Sequence, residues 1–120
     1  MHKMNRIFVV DDEPDICLTL TNVLEDNGFV VRAFDDPLLA LEYFRKDLYD
    51  LLILDIKMEK MNGLQLYREI KKIDNKVKVC FLTARAFMDV FNDLKENQFI
   101  QKPIENTELI KMINEITDSN

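Results

Sequence analysis

Glycine is nearly absent: Gly28 and Gly63 are the only two among 120 residues. Flavin and nucleotide sites cradle phosphate with glycine-rich or hydroxyl-rich loops and helix amides. Here the loop after the first apolar run reads Asp-Asp-Glu-Pro (11–14), which repels phosphate unless a metal intervenes. Cysteine is equally sparse. Cys17 and Cys80 both sit in apolar contexts, which argues for buried reduced thiols and against a disulfide framework. No long hydrophobic run exists, and only four apolar residues separate Arg6 from Asp11. That excludes a membrane span and a signal-peptide core, so the cytoplasm is the expected compartment. Positive charge is in deficit, with 16 Lys and Arg against 22 Asp and Glu and a net charge of −6. Direct binding of DNA or RNA, which needs phosphates neutralised, is disfavoured. The basic residues are concentrated between 57 and 78, where a solvated face explains them.

What the chain does have is alternation. Hydrophobic residues make up 48% and charged residues 32%, a balance that suits one globular domain with a real core. There is no repeat, linker or low-complexity tract. Ile7 to Val10 reads as a strand, followed by a helix that Pro14 opens at N1 and Gly28 closes at C′. Ile16, Leu20, Val23 and Leu24 form its apolar stripe. Phe29 to Phe34 is a second strand, Asp36-Pro37 starts a second helix, and Asp50 to Leu54 is a third strand. Asn62-Gly63 turns into a third helix with Leu66, Ile70 and Ile73 inside, and Val77 to Leu82 is a fourth strand. Phe87, Val90, Phe91 and Leu94 predict a fourth helix, and Phe99-Ile100 a short fifth strand. Leu109, Met112, Ile113 and Ile116 mark a closing helix. The reading is α/β: (βα)5 in one domain over residues 1–120, with right-handed crossovers.

In a parallel sheet of this kind, ligands bind outside the carboxyl ends of the strands. Asp11-Asp12, Asp55, Thr83 and Lys102-Pro103 each lie at, or just past, such an end. The acids near Pro14 also suit the first turn of a helix, and Thr83 suits an N-cap. Paired carboxylates are ligands for a hard divalent cation such as magnesium, and a strand-end aspartate is a candidate phosphoryl acceptor. Three carboxylates at about 5 Å repel by roughly 3 kcal/mol per pair at an effective dielectric near 20. They require a cation or raised pKa values. With Lys102 the formal balance is −2, which one divalent ion cancels.

The order of these residues, with Val-Val-Asp-Asp-Glu (9–13), Leu-Asp-Ile-Lys-Met (54–58), Asn62-Gly63, Leu-Thr-Ala (82–84) and Phe-Ile-Gln-Lys-Pro (99–103), resembles the receiver domain of two-component response regulators. The resemblance covers essentially the whole chain. It implies a flavodoxin-like three-layer sandwich with a five-stranded parallel sheet in the order 2-1-3-4-5, a fold for which a chemotaxis receiver is a standard example. It further implies that Asp55 is the phosphoacceptor, and that Asp11, Asp12, Asp55 and the backbone carbonyl of Lys57 bind Mg2+. Thr83 and Phe99 resemble the switch pair, and Lys102 the phosphoryl-pairing lysine, with a cis bond to Pro103. Lys57 and Arg85 would flank the site and shield the acyl phosphate.

The implied partners are a sensor histidine kinase or phosphotransfer protein and an unknown downstream protein. His2, the only histidine, is a poor internal phosphodonor. The implied function is a phosphorelay receiver, not an enzyme, whose output is a protein contact at the fourth helix, fifth strand and fifth helix. These 120 residues leave no room for an effector module. An unphosphorylated receiver-like adaptor, and a fragment of a longer transcriptional regulator, are the alternatives. Glu59 and Asn62 stand where such domains often carry Pro and Asp, so the loop after Asp55 is expected to be looser. Lys95-Glu96 in place of Gly-Ala leaves the end of the fourth helix and the length of the fifth strand open.

Overall fold

A computed structural model of the chain describes residues 5–84 and 99–118. Five strands, β1 (Arg6–Val10), β2 (Val30–Phe34), β3 (Leu51–Asp55), β4 (Lys78–Ala84) and β5 (Phe99–Lys102), form one parallel sheet in the order β2-β1-β3-β4-β5. The expected topology is therefore the observed one. Four helices lie among the described residues: α1 (Pro14–Asp26), α2 (Pro37–Tyr43), α3 (Gly63–Ile73) and α4 (Asn106–Asp118). The helix predicted around Phe87 to Leu94, together with Arg85, lies outside the described residues, as does His2.

Strand parity divides the core into two layers. Phe8, Val10, Leu52, Leu54, Val79 and Phe81 point to the side covered by Ala40 of α2 and by Leu66 and Ile70 of α3. Their neighbours Ile7, Val9, Leu51, Ile53, Cys80 and Leu82 point to the side covered by Leu20 and Leu24 of α1 and Leu109, Ile113 and Ile116 of α4. Because β1, β3 and β4 are covered on both faces, they read as unbroken apolar runs. β2, at the sheet edge, is half exposed. The first layer is aromatic, with Phe8 in ring contact with Phe34, Phe44 and Tyr49, whereas the second is aliphatic apart from Phe29. Truncating a fully buried Leu66 or Ile70 to alanine would cost about 2–5 kcal/mol.

The helix ends follow local chemistry. Pro14 and Pro37 occupy the first turns of α1 and α2, and the Asp36 carboxylate accepts from the amides of Leu38 and Leu39. Gly28, at φ 90°, closes α1, with the Phe29 amide donating back to the Leu24 carbonyl. The connection after β3 is firmer than its sequence suggests. Asn62 and Gln65 form a reciprocal capping box at the start of α3. Gly63 presses on the strand end, where a Cβ would lie 2.3 Å from the Asp55 carbonyl oxygen.

Candidate functional site

The register sets the site. Val10 pairs with Leu54, Asp55 with Leu82, and Ala84 with Lys102, so the ends of β1, β3, β4 and β5 share one rim. Asp11 follows β1, Asp55 closes β3, Thr83 is next to last in β4, and Lys102 ends β5. Oxygens of Asp11, Asp12 and Asp55 all lie within 4.8 Å of one another. The Lys102 Nζ reaches Asp11 Oδ2 at 2.8 Å, Asp55 Oδ1 at 3.3 Å and Glu13 Oε2 at 3.3 Å. Five of the predicted residues thus converge on one rim, and the Lys102–Pro103 bond is cis.

Asp11 and Asp55 are buried, whereas Asp12 is only half-buried. Burial pushes the Asp55 carboxyl up to about 6, the nearby Asp11 charge adds to this, and Lys102 opposes it. Asp11 is also raised, by burial first, against the pull of Lys102 and of the Glu13 amide, which donates to its Oδ1 at 2.9 Å. For Lys102, burial works against the charge, but the pairing with Asp11, Asp55 and Glu13 outweighs it and raises the ammonium pKa. Behind Asp11, the Cys17 thiol donates to the backbone oxygens of Asp11 and Phe34, and burial holds its pKa up at about 11. It is a buttress, not a reactive thiol.

Asp11 Oδ2 is fully buried, and its one partner among the described residues is the Lys102 ammonium at 2.8 Å. A buried, under-satisfied carboxylate oxygen beside two further acids is a donor set that suits a hard divalent cation. The excess negative charge points the same way.

Thr83 is buried, and its hydroxyl donates to the Ala84 carbonyl at 3.1 Å. Phe99 already lies inside, its ring centroid 6.1 Å from that of Phe81. Lys57 is exposed on the connection two residues beyond Asp55. Two participants were not foreseen from sequence. Glu13 shares Lys102, and the Glu59 amide donates to Asp12 Oδ2 at 3.3 Å. Glu13 follows two singled-out acids and was findable as a third; a backbone amide carries no residue signature.

A family model described as the response regulator receiver domain matches residues 7–114. The chain belongs to that family. It is 35% identical over 111 residues to the transcriptional regulatory protein DltR of Streptococcus agalactiae, covering 90% of this chain and 50% of the relative. It is 30% identical over 113 residues to the response regulator receiver protein CpdR of Brucella abortus, covering 92% and 94%. The chain therefore spans half the length of DltR and almost the whole of CpdR. Among solved structures it resembles the response regulator protein TrrA of Thermotoga maritima in complex with Mg(2+)-BeF. That match has a TM-score of 0.79 and 29% identity, over 94% of this receiver and 99% of TrrA. No helix among the described residues is long and apolar enough to cross a membrane.

Proposed function

We propose that residues 1–120 form a receiver that takes a phosphoryl group onto Asp55 from a sensor histidine kinase or phosphotransfer protein in the cytoplasm. The observation that carries this reading is the Lys102 ammonium, which contacts Asp55 Oδ1 and Asp11 Oδ2 together at the rim of a buried acidic cluster. An Asp55 oxygen attacks phosphorus, forming the acyl phosphate O–P bond. The P–N bond of the donor phosphohistidine breaks, and its electron pair stays on the imidazole nitrogen, which takes up a proton. Asp11, Asp12, Asp55 and the Lys57 carbonyl would hold Mg2+, a reading that the Mg(2+)-BeF complex of TrrA supports. Bound there, the ion supplies charge neutralisation for the transferring phosphoryl.

The chain's own residues do the rest. Lys102 exchanges its carboxylate partners for a phosphoryl oxygen and offsets the charge that arrives. Thr83 donates its hydroxyl to a second phosphoryl oxygen once it leaves the Ala84 carbonyl. Phe99, on the strand that carries Lys102, transmits this change to the surface of β5 and α4, where a downstream protein binds. Water later attacks phosphorus, the Asp55 O–P bond breaks with its electron pair returning to the carboxylate, and inorganic phosphate leaves. The group is a signalling acceptor and turns over no external substrate beyond this cycle.

Incubation with acetyl phosphate and magnesium, followed by intact mass, tests the reading. The wild type should gain one phosphoryl group, and Asp55→Asn none. A wild type that stays unmodified while it is folded and magnesium-loaded identifies an unphosphorylated adaptor instead.

A further inference from the structure

Asp12 is the least buried of the three acids, and among the described residues its carboxylate accepts one hydrogen bond. What holds it comes from 47 residues away: the Glu59 amide donates to Asp12 Oδ2 at 3.3 Å. The segment carrying that amide is braced on several sides. The Ile56 amide donates to the Leu82 carbonyl at 3.0 Å, and the Gly63 amide to the Ile56 carbonyl at 2.9 Å. Lys60, in the left-handed region at φ 70°, extends its ammonium to Asp36 Oδ2 at 2.9 Å. The same Asp36 caps α2 through its other oxygen, so this anchor is itself fixed. The donor is therefore held by the fold itself.

We propose that the backbone amide of Glu59 is a positioning group for magnesium, orienting Asp12 toward Asp11 and Asp55. The proposal rests on the reading of those three acids as a cation site. Its sign follows from the geometry, because the three acids are gathered within 4.8 Å while the amide bond is made. A carboxylate has about four lone-pair sites, so one oxygen can accept the amide while the other faces the ion. Donors behind a metal's ligands fix their orientation, and losing one costs about 10–100-fold in metal affinity. A proline at position 59 has no N–H to give; glutamate makes the contact available.

The test is calorimetric titration of magnesium into the full chain as wild type, Glu59→Ala and Glu59→Pro. Both variants lose the same carboxylate, but only proline loses the donor. For a long, partly exposed bond the lower end of that range applies, so Glu59→Pro should bind magnesium about tenfold more weakly than Glu59→Ala. Agreement of the two variants within about twofold overturns the positioning role and leaves the cation site standing. A wild type that takes up no magnesium overturns both. Should the proline variant fail to fold, the amide resonance of Glu59 in the wild type decides. It should shift in Asp12→Ala, and an unmoved resonance refutes the contact.

Discussion

Asp55 and Asp74 are the same residue, buried to nearly the same degree at 4% and 3% exposure, and the fold treats them in opposite ways. Asp74 caps the end of α3 and accepts two backbone amides, from Asp47 at 3.0 Å and Lys76 at 2.9 Å. Burial alone would raise its pKa, but those donors and the charges of Lys46 and Lys76 hold it below the usual carboxylate range. Asp55 has a lysine it must share with two other acids. A buried carboxylate whose amide donors and neighbouring lysines outweigh its burial is structural. One surrounded by acids is held in a state that a cation relieves. The difference lies in partners, not in burial.

The largest effect should come from breaking the satisfied acid. Asp74→Ala removes the acceptor for two amides at once, and one of them belongs to Asp47, held at φ 64°. Hydrogen bonds to a charged group contribute about 1.5–3 kcal/mol each, so the loss should be on the order of 3 kcal/mol in urea unfolding at neutral pH. Asp74→Asn keeps one oxygen and should fall between. Because the folded pKa is depressed, this stabilisation is complete above the unfolded value, about 3.9, and disappears only as pH falls through the folded one. The wild-type and alanine curves should therefore converge in strong acid. A loss below about 1 kcal/mol at pH 7 would remove Asp74 from the comparison.

The opposite sign is expected at Asp55. A rise from 3.8 to about 6 means that the folded protein holds its proton more tightly than the unfolded chain. Stability from this group is thus highest below about pH 4, declines as pH rises to about 6, and stays low above that. Asp55→Asn should leave the metal-free protein up to about 3 kcal/mol more stable at pH 7, with the gain fading by pH 4. Magnesium at about 100 times its Kd should restore about 2.7 kcal/mol to the wild type and less to the variant. An asparagine variant no more stable than wild type in chelator would contradict the account.

The same contrast shows what could be read from sequence. β1, β3 and β4 were legible because burial on both faces writes itself as apolar runs, and Asp11, Asp12, Asp55 and Thr83 were legible because each closes or follows such a run, whereas Lys102, at the end of the short β5, was placed by the order of the motifs. Asp74 was not. It lies among Lys71, Lys72, Lys76 and Lys78, a context that reads as a solvated face, and its role depends on amides brought from Asp47. The loop after Asp55 was expected to be loose because its residue types differ from the usual ones. Its firmness comes from the reciprocal Asn62–Gln65 bonds, from the close seating of Gly63 and from the Lys60–Asp36 pair. The seating of Gly63 and the Lys60–Asp36 pair are tertiary relations that composition does not record, whereas Asn62 and Gln65 stand three apart and their capping box was readable.

The smallest change sharpens the comparison further. Thr83 is the fourth buried polar or charged residue beside Asp11, Asp55 and Asp74 among those described, and like Asp74 it is satisfied, its partner among those residues being the neighbouring Ala84 carbonyl. Ala84 is exposed, so water can replace that hydroxyl. Thr83→Val keeps the shape and should cost less than about 1 kcal/mol in the resting protein. If Thr83 answers the phosphoryl group, its importance lies elsewhere. The ring resonances of Phe99 should then move on phosphorylation in wild type and Thr83→Ser but stay still in Thr83→Val. A valine variant that shifts like the wild type would mean that the hydroxyl is as structural as Asp74, and that the route from Asp55 to β5 runs through Lys102 alone.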